Sequence, residues 1–266
     1  MNTIFDKVAI ERCCDDFFSL YDVTRERTRD MCHAKRVHTH AVAENCIYIA
    51  RDRGLSDYDC DLAWLIGELH DFARFGQAVV THTFKDSDRY NHAHFGARLL
   101  FKHGMIYDIM TNFDAVPDAD KIVLEKAVHH HSDFHLPTDL TDRQRIFCDI
   151  IREADCIDIF RSIVTSGWKT IYNCTAEDVL STDISPAVEE AFQRCETVKN
   201  SNCVTLADCR MAHIALCFVL KSSTARRRAV EQGYLQQLMD IEFFNPTVQA
   251  KFLRAKIIVE KFIEEA

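Results

Sequence analysis

The chain has 266 residues, 47% of them hydrophobic, with only 7 Gly and 4 Pro. This composition excludes a disordered chain and points to a packed, mostly helical protein. The net charge of −9, from 32 basic and 41 acidic residues, argues against a long nucleic acid partner; a phosphorylated small molecule stays open, because a bound metal reverses the local field.

Read from its start, the chain opens with MNTIFDKVAIERCCDDFF, which carries charges throughout, unlike a signal peptide. Hydrophobic periodicity predicts helices over 4–20, 30–53, 57–70, 91–103, 119–131, 141–162, 186–198, 204–222, 226–240 and 247–264. Strand signals are few, so the fold class is all-α. Gly54 and Gly104 stand where helix C-caps belong, and Asn245-Pro246 reads as a cap followed by a first helical residue. The segment 72–91 reads as a long loop, a feature often tied to function. With no internal repeat or linker, the expected organisation is one domain over 1–266, in which 30–162 carries the chemistry and 163–266 adds covering helices.

No stretch approaches the roughly 20 apolar residues of a membrane span. The 12 cysteines include no CxxC pair, so neither a zinc knuckle nor a thioredoxin motif is indicated. The expectation is a cytoplasmic protein with reduced thiols, many of them buried as small hydrophobes.

Most of the 13 histidines lie between His33 and His131. His38, Val42, Asn45 and Ile49 form a stripe at i, i+4, i+7 spacing, so His38 faces inward. Ala63, Ile66 and His70 form a second stripe, and Asp71 follows about 100° around the helix. A buried His-Asp step is costly unless both groups are compensated. In the HHH run, His131 extends the face of Leu124, Ala127 and Val128, whereas His129 and His130 turn away and read as solvent-exposed. On RQRIFCDIIREADCIDIF, Asp155 shares a face with Cys148 and Ile151, and Asp158 follows at i+3. Spacing alone leaves Asp155 with two roles, a buried salt bridge with an Arg or Lys or a metal ligand. A divalent transition metal (Mn, Fe, Co, Ni or Zn) matches such nitrogen and oxygen donors and would compensate His70 and Asp71.

The lines RVHTHAVAENCIYIA, ELHDFARFGQ and IIREADCIDIF together resemble the HD domain superfamily of metal-dependent phosphohydrolases. His38 corresponds to the first motif histidine, with His40 as the competing choice; His70-Asp71 corresponds to the doublet and Asp155 to the final aspartate. NHAHFGARLL resembles the segment that places another histidine, here His92, four residues before a glycine. AVHHHSDFHLP matches best at His131. The resemblance is closest to a single-domain, bacterial-type branch. Two positions depart from it: the doublet is followed by Phe72-Ala73-Arg74 where that branch has Ile-Gly-Arg, and Asn91 replaces a frequent Asp before His92.

The resemblance implies a compact HD-type helical bundle with additional C-terminal helices, holding one or two divalent ions. His38, His70, Asp71 and Asp155 would bind the first ion, and His92 and His131 the second, with Asp71 bridging. The implied reaction is hydrolysis of a phosphate ester of a small metabolite or nucleotide by a metal-activated hydroxide. Asp71, Arg74 and Asp158 are the expected catalytic residues. Arg74 would clamp phosphate oxygens, its alternative being an ordinary salt bridge, and Asp158 would orient a metal-bound histidine or water or assist proton transfer. Lys85, Arg89 and His94, in or beside the long loop, read as solvated, with substrate contact as the alternative; His213 reads as a core histidine, and Arg226, Arg227 and Arg228 as a solvated helix face. Two other functions share the ligand set: an HD-type di-iron oxygenase, and a non-catalytic metal-stapled interaction or sensor protein. The expected partner is a small phosphorylated substrate, with no long nucleic acid and no membrane; the oligomeric state is open, a homodimer being one option.

Overall fold

The computed structural model describes residues 4–21, 26–87 and 89–265. Among these the regular structure is all helical, as the periodicity predicts, apart from an isolated antiparallel bridge between Ser87 and Tyr90. No helix among the described residues is long and apolar enough to cross a membrane. None of the cysteines forms a disulfide. The chain divides into two compact units, Met1–Asp155 and Cys156–Ala266, and the boundary falls inside one helix, Asp142–Tyr172.

In the first unit the helices are α1 (Lys7–Ser19), α2 (Glu26–Asp52), α3 (Asp57–Leu69), α4 (Arg74–Thr81), α5 (His92–Ala97), α6 (Ile106–Ile109), α7 (Asp118–His130) and the beginning of α8 (Asp142–Tyr172). Helix α3 lies at the centre. Every residue from Leu62 to Leu69 is buried, so it carries no solvent stripe and is enclosed on all sides. Ser56 caps it by accepting a hydrogen bond from the Asp59 amide, and Asp57 and Asp59 complement the positive end of the helix dipole. At its start, Arg143 of α8 pairs with both Asp59 and Asp120, and the Tyr58 hydroxyl donates to Asp120, joining α3, α7 and α8.

Gly67 sets the approach of α2 to α3. A Cβ at this position would lie 2.5 Å from the Ala43 Cα and 2.8 Å from its nitrogen, so the helices touch backbone to backbone. The expected stripe on α2 is buried: His38, Val42, Asn45 and Ile49 are each at most 2% exposed. Beyond the doublet, Phe17 and Phe18 of α1 stack on Phe72 and Phe75, with ring centroids 4.4 and 3.8 Å apart, and anchor the chain as it leaves α3.

Segment 72–91 is not the continuous loop that the sequence suggests. Arg74–Thr81 forms α4, which buries Phe75, Gln77 and Ala78 and ends at His82 in the left-handed conformation. Two turns are too short for periodicity to stand out, and no Gly or Pro marks where this helix stops. The expected helix over 91–103 is α5 followed by a π-helical turn, Arg98–Lys102, and the segment ends at Gly104 with φ 78°.

In the second unit the rest of α8 is followed by α9 (Ala176–Leu180), α10 (Pro186–Gln193), α11 (Leu206–Ala215), α12 (Ser223–Gln232), α13 (Tyr234–Leu238) and α14 (Pro246–Glu264). Helix α8 extends ten residues past its expected end at 162, interrupted at Gly167, whose φ of 75° breaks helical geometry. The expected helix 226–240 is instead two, split at Gly233 with φ 70°. In both places glycine relieves the Cβ penalty of the left-handed region. The expected helix 204–222 gives way after Ala215 to a 3₁₀ turn, and 186–198 stops at Gln193. Helix α9, missed by periodicity, is held by a Thr175–Asp178 capping box. Arg226 departs from the solvated reading: it is half-buried, donates to the Leu220 and Phe262 carbonyls and stacks on the Phe262 ring. His213 bonds the Tyr172 hydroxyl at 2.7 Å, and burial followed by the charge of Arg210 pushes its pKa down to about 4.

Two outcomes follow from this packing. Gly67→Ala forces backbone apart and is expected to lower stability by about 1–3 kcal/mol, read as a reduced urea midpoint. For His213 the folded-state pKa lies below the unfolded value of about 6.5, so between pH 4 and 6.5 the unfolded chain binds more protons and stability falls as pH falls. His213→Gln, which keeps an acceptor for Tyr172, is expected to flatten that part of the stability–pH curve; an unchanged slope would assign it to other groups.

Candidate metal centre

Six residues that the sequence analysis singled out come together in the first unit. Helix α2 supplies His38, the end of α3 supplies His70 and Asp71, α5 begins with His92, α7 is followed directly by His131, and α8 supplies Asp155. Of these, His38, His70, Asp71, His92 and His131 are at most 4% exposed. Two overlapping groups have ligand atoms close enough to share an ion: His38, His70 and Asp155, and His70, Asp71 and His131.

Asp71 joins the two halves. Its Oδ2 lies 3.5 Å from His38 Nε2 and 3.3 Å from His70 Nε2. Its Oδ1 faces the other way, 3.3 Å from His92 Nε2 and 3.8 Å from His131 Nε2. Asp155 Oδ1 is 3.1 Å from His38 Nε2 and 3.9 Å from His70 Nε2. No Arg or Lys pairs with Asp155 among the described residues, so it stands with the histidines rather than in a salt bridge. Of the two candidates on α2, His38 enters the cluster. His40 is turned toward Glu68 and Asp15, at 2.9 and 3.4 Å, where the hydrogen bond to Glu68 raises its pKa to about 9 against the effect of burial.

The far nitrogen of three rings is already committed. His70 Nδ1 donates to the Gly67 carbonyl at 2.7 Å and His131 Nδ1 to the Val128 carbonyl at 2.8 Å. His92 Nδ1 lies 2.7 Å from Asp86 Oδ2. A carbonyl or carboxylate only accepts, so the proton sits on Nδ1 and, in a neutral ring, the Nε2 lone pair points inward. Burial, followed by the charges of His92 and His70, keeps His131 neutral, its pKa well below the usual imidazole range. The Nε2 atoms of His92 and His131 nevertheless lie only 3.0 Å apart, and the buried His70 Nε2 has no well-formed hydrogen bond.

The carboxylates are ionised. Burial alone would raise Asp71, but the ammonium of Lys35 leads the groups that outweigh it and hold the carboxyl well below the usual range. Asp155 behaves likewise: burial opposes ionisation, and His38 and His70 prevail. Lone pairs and negative charge therefore converge on one buried volume, which is the donor chemistry of a divalent-metal site. The residues fit an ion.

The supporting shell contains groups that the sequence did not announce. Lys35 pairs with Asp71 Oδ2; it stands three residues before His38, on the same helical face, and that spacing was the available signal. Asp86 gives His92 the carboxylate partner that Asn91 lacks, while Asn91 caps α5 by accepting from the His94 amide. Asp86 also holds Arg74 Nη1 at 3.0 Å, and its pKa is lowered to about 2: burial raises it, and His92 and Arg74 more than reverse that. No periodic pattern marks a carboxylate in an irregular segment. Arg152 donates to the carbonyls of His130, His131 and Asp133, satisfying the open end of α7 beside a ligand. Arg53 pairs with buried Glu153 at 2.7 Å, and Asn45 donates to the Ala154 carbonyl, fixing α8 next to Asp155.

Other residues fall elsewhere than expected. His130 is buried, with Nδ1 2.7 Å from Asp133, and His129 is half-buried and stacked on His94 at 4.0 Å. The solvated reading of both is corrected: His94 of α5 stacks on His129, and Asp133, just beyond α7, pairs with His130. His94 is exposed but bonded to Asp133 at 3.1 Å. Lys85 and Arg89 are exposed. Arg74 sits beside the cluster, with Nε 3.5 Å from Asp71 Oδ1 and Nη1 donating to Gln77, the Phe84 carbonyl and Asp86. Asp158 belongs to the second unit, where both its oxygens are held by Arg161 at 2.6 and 2.9 Å.

Comparison of the chain with protein-family models, with curated proteins and with solved structures finds no match.

Asp71→Ala removes the carboxylate common to both halves and is expected to abolish stoichiometric manganese uptake; elemental analysis showing retained metal would eliminate its bridging role. Asp86→Ala is expected to leave binding intact but about 10–100-fold weaker, measured by competition with a chelator.

Proposed function

We propose that this chain is a metal-dependent phosphohydrolase acting on a phosphate ester of a small metabolite or nucleotide, with the HD superfamily as the pattern it follows. The observation that carries the reading is the orientation of Asp71, whose two oxygens face different imidazole pairs. His38, His70, Asp71 and Asp155 would hold one ion, and Asp71, His92 and His131 a second. Bound divalent ions would supply Lewis acidity toward phosphoryl oxygens and lower the pKa of water at the site.

The chain's own groups have distinct tasks in this reading. The Gly67 and Val128 carbonyls and Asp86 fix the tautomers and ring planes of His70, His131 and His92, so their nitrogens need no rearrangement before binding. Burial of the cluster excludes bulk water and strengthens its charge interactions. Arg74 is the nearest guanidinium to the doublet. Its Nη1 is tied down, while its Nη2 makes no hydrogen bond among the described residues and can donate to a phosphate oxygen. The acidic balance of the chain suits a small substrate over a polyanion.

The test is phosphate release from a panel of metabolite esters by protein loaded with manganese or cobalt. Arg74→Ala is expected to lower kcat/KM about 10–100-fold, the loss of a charge-assisted hydrogen bond, with the metal content unchanged. Oxygen consumption by the iron-loaded protein, without phosphate release, would assign the di-iron oxygenase chemistry instead. A metal-loaded protein inert toward every ester and toward oxygen would assign a non-catalytic role.

A further inference from the structure

Two cationic side chains meet the cluster at Asp71. Lys35, on α2 one turn before His38, sets its ammonium on Oδ2, and Arg74 brings Nε to 3.5 Å from Oδ1. Both stand against the ring of Phe84, at 5.5 and 5.8 Å from its centroid. Their side chains are 17% and 14% exposed, against 1% and 0% for His38 and His70. With Asp155 at 16%, they mark where the cluster meets solvent.

Neither cation is saturated. An ammonium has three donors, and Asp71 is the one hydrogen-bond partner of Lys35 among the described residues. Arg74 keeps Nη2 uncommitted. Donors on two adjacent, partly exposed positive groups therefore remain available beside Asp71. His70, His92 and His131, deeper in the cluster, have side chains at most 3% exposed.

Resting on the phosphohydrolase reading, we propose that Lys35 and Arg74 form a paired clamp for a terminal phosphate, making the substrate class a phosphomonoester. A monoester phosphate carries close to two negative charges and three unesterified oxygens, enough to engage both cations and still reach the metal ligands' side of the site. A diester has one charge, two free oxygens and a substituent on each side.

The test separates binding from turnover. Manganese-loaded protein is titrated by calorimetry at pH 8 with methyl phosphate and with dimethyl phosphate, using wild type, Lys35→Met and Lys35→Arg, with manganese counted in each. Methyl phosphate is expected to bind at least about tenfold more tightly than dimethyl phosphate, a difference of about 1.4 kcal/mol. Lys35→Met is expected to remove most of that preference with the manganese count unchanged, and Lys35→Arg to retain it. Equal binding of the two ligands, no binding of methyl phosphate, or no effect of Lys35→Met overturns the clamp. Loss of manganese from both variants also overturns it, leaving Lys35 as a counter-ion of Asp71. If methyl phosphate binding depends on Lys35 while no ester is turned over, the clamp stands and the hydrolase reading falls; turnover of monoesters without dependence on Lys35 has the reverse meaning.

Discussion

The first unit is organised around one buried carboxylate. Asp71 is ionised while almost fully buried, and an isolated carboxylate there would cost far more than a marginally stable fold can supply. Four imidazoles, a lysine and an arginine surround it. Removing one partner from such a group is more damaging than never having formed it, because the remaining charge stays desolvated. This constraint explains why so much of the surrounding structure is devoted to holding ring orientations.

The orientations come from ordinary backbone chemistry. His70 and His131 stand just past the ends of α3 and α7, where each ring donates to the carbonyl three residues earlier. Helix ends have unpaired carbonyls, so this placement satisfies an orphan acceptor and fixes a tautomer at once. Arg152 takes up further carbonyls at the end of α7. The close crossing at Gly67 brings α2 within reach, and with it His38 and Lys35. Each ligand is thus set by an element's end or by a packed face, with His92 additionally steered by Asp86 from the irregular segment.

The segment before α5 supplies a carboxylate to the edge of the cluster. Asn91 serves as the helix cap of α5, and Asp86 binds both His92 and Arg74. One acidic residue therefore couples a candidate ligand histidine to the guanidinium beside Asp71. The same segment brings Phe84 against Lys35 and Arg74, so its conformation governs the rim of the site.

The sequence by itself determined the helical class, the inward faces of His38, His70 and His131, and the Asn245-Pro246 and Gly54 helix ends. These rest on local periodicity and on backbone preferences that act within a few residues. It did not reveal the short helices Arg74–Thr81 and Ala176–Leu180, because one or two turns give too few repeats to register. It left His38 against His40, and a ligand against a salt bridge for Asp155, because a helical face specifies direction but not what waits there. Tertiary packing sets Glu68 opposite His40 and places Asp155 against His38 with no Arg or Lys pairing it among the described residues. Packing alone also introduced Asp86 and Arg152 and buried His130, since contacts between residues distant in the chain leave no period to read.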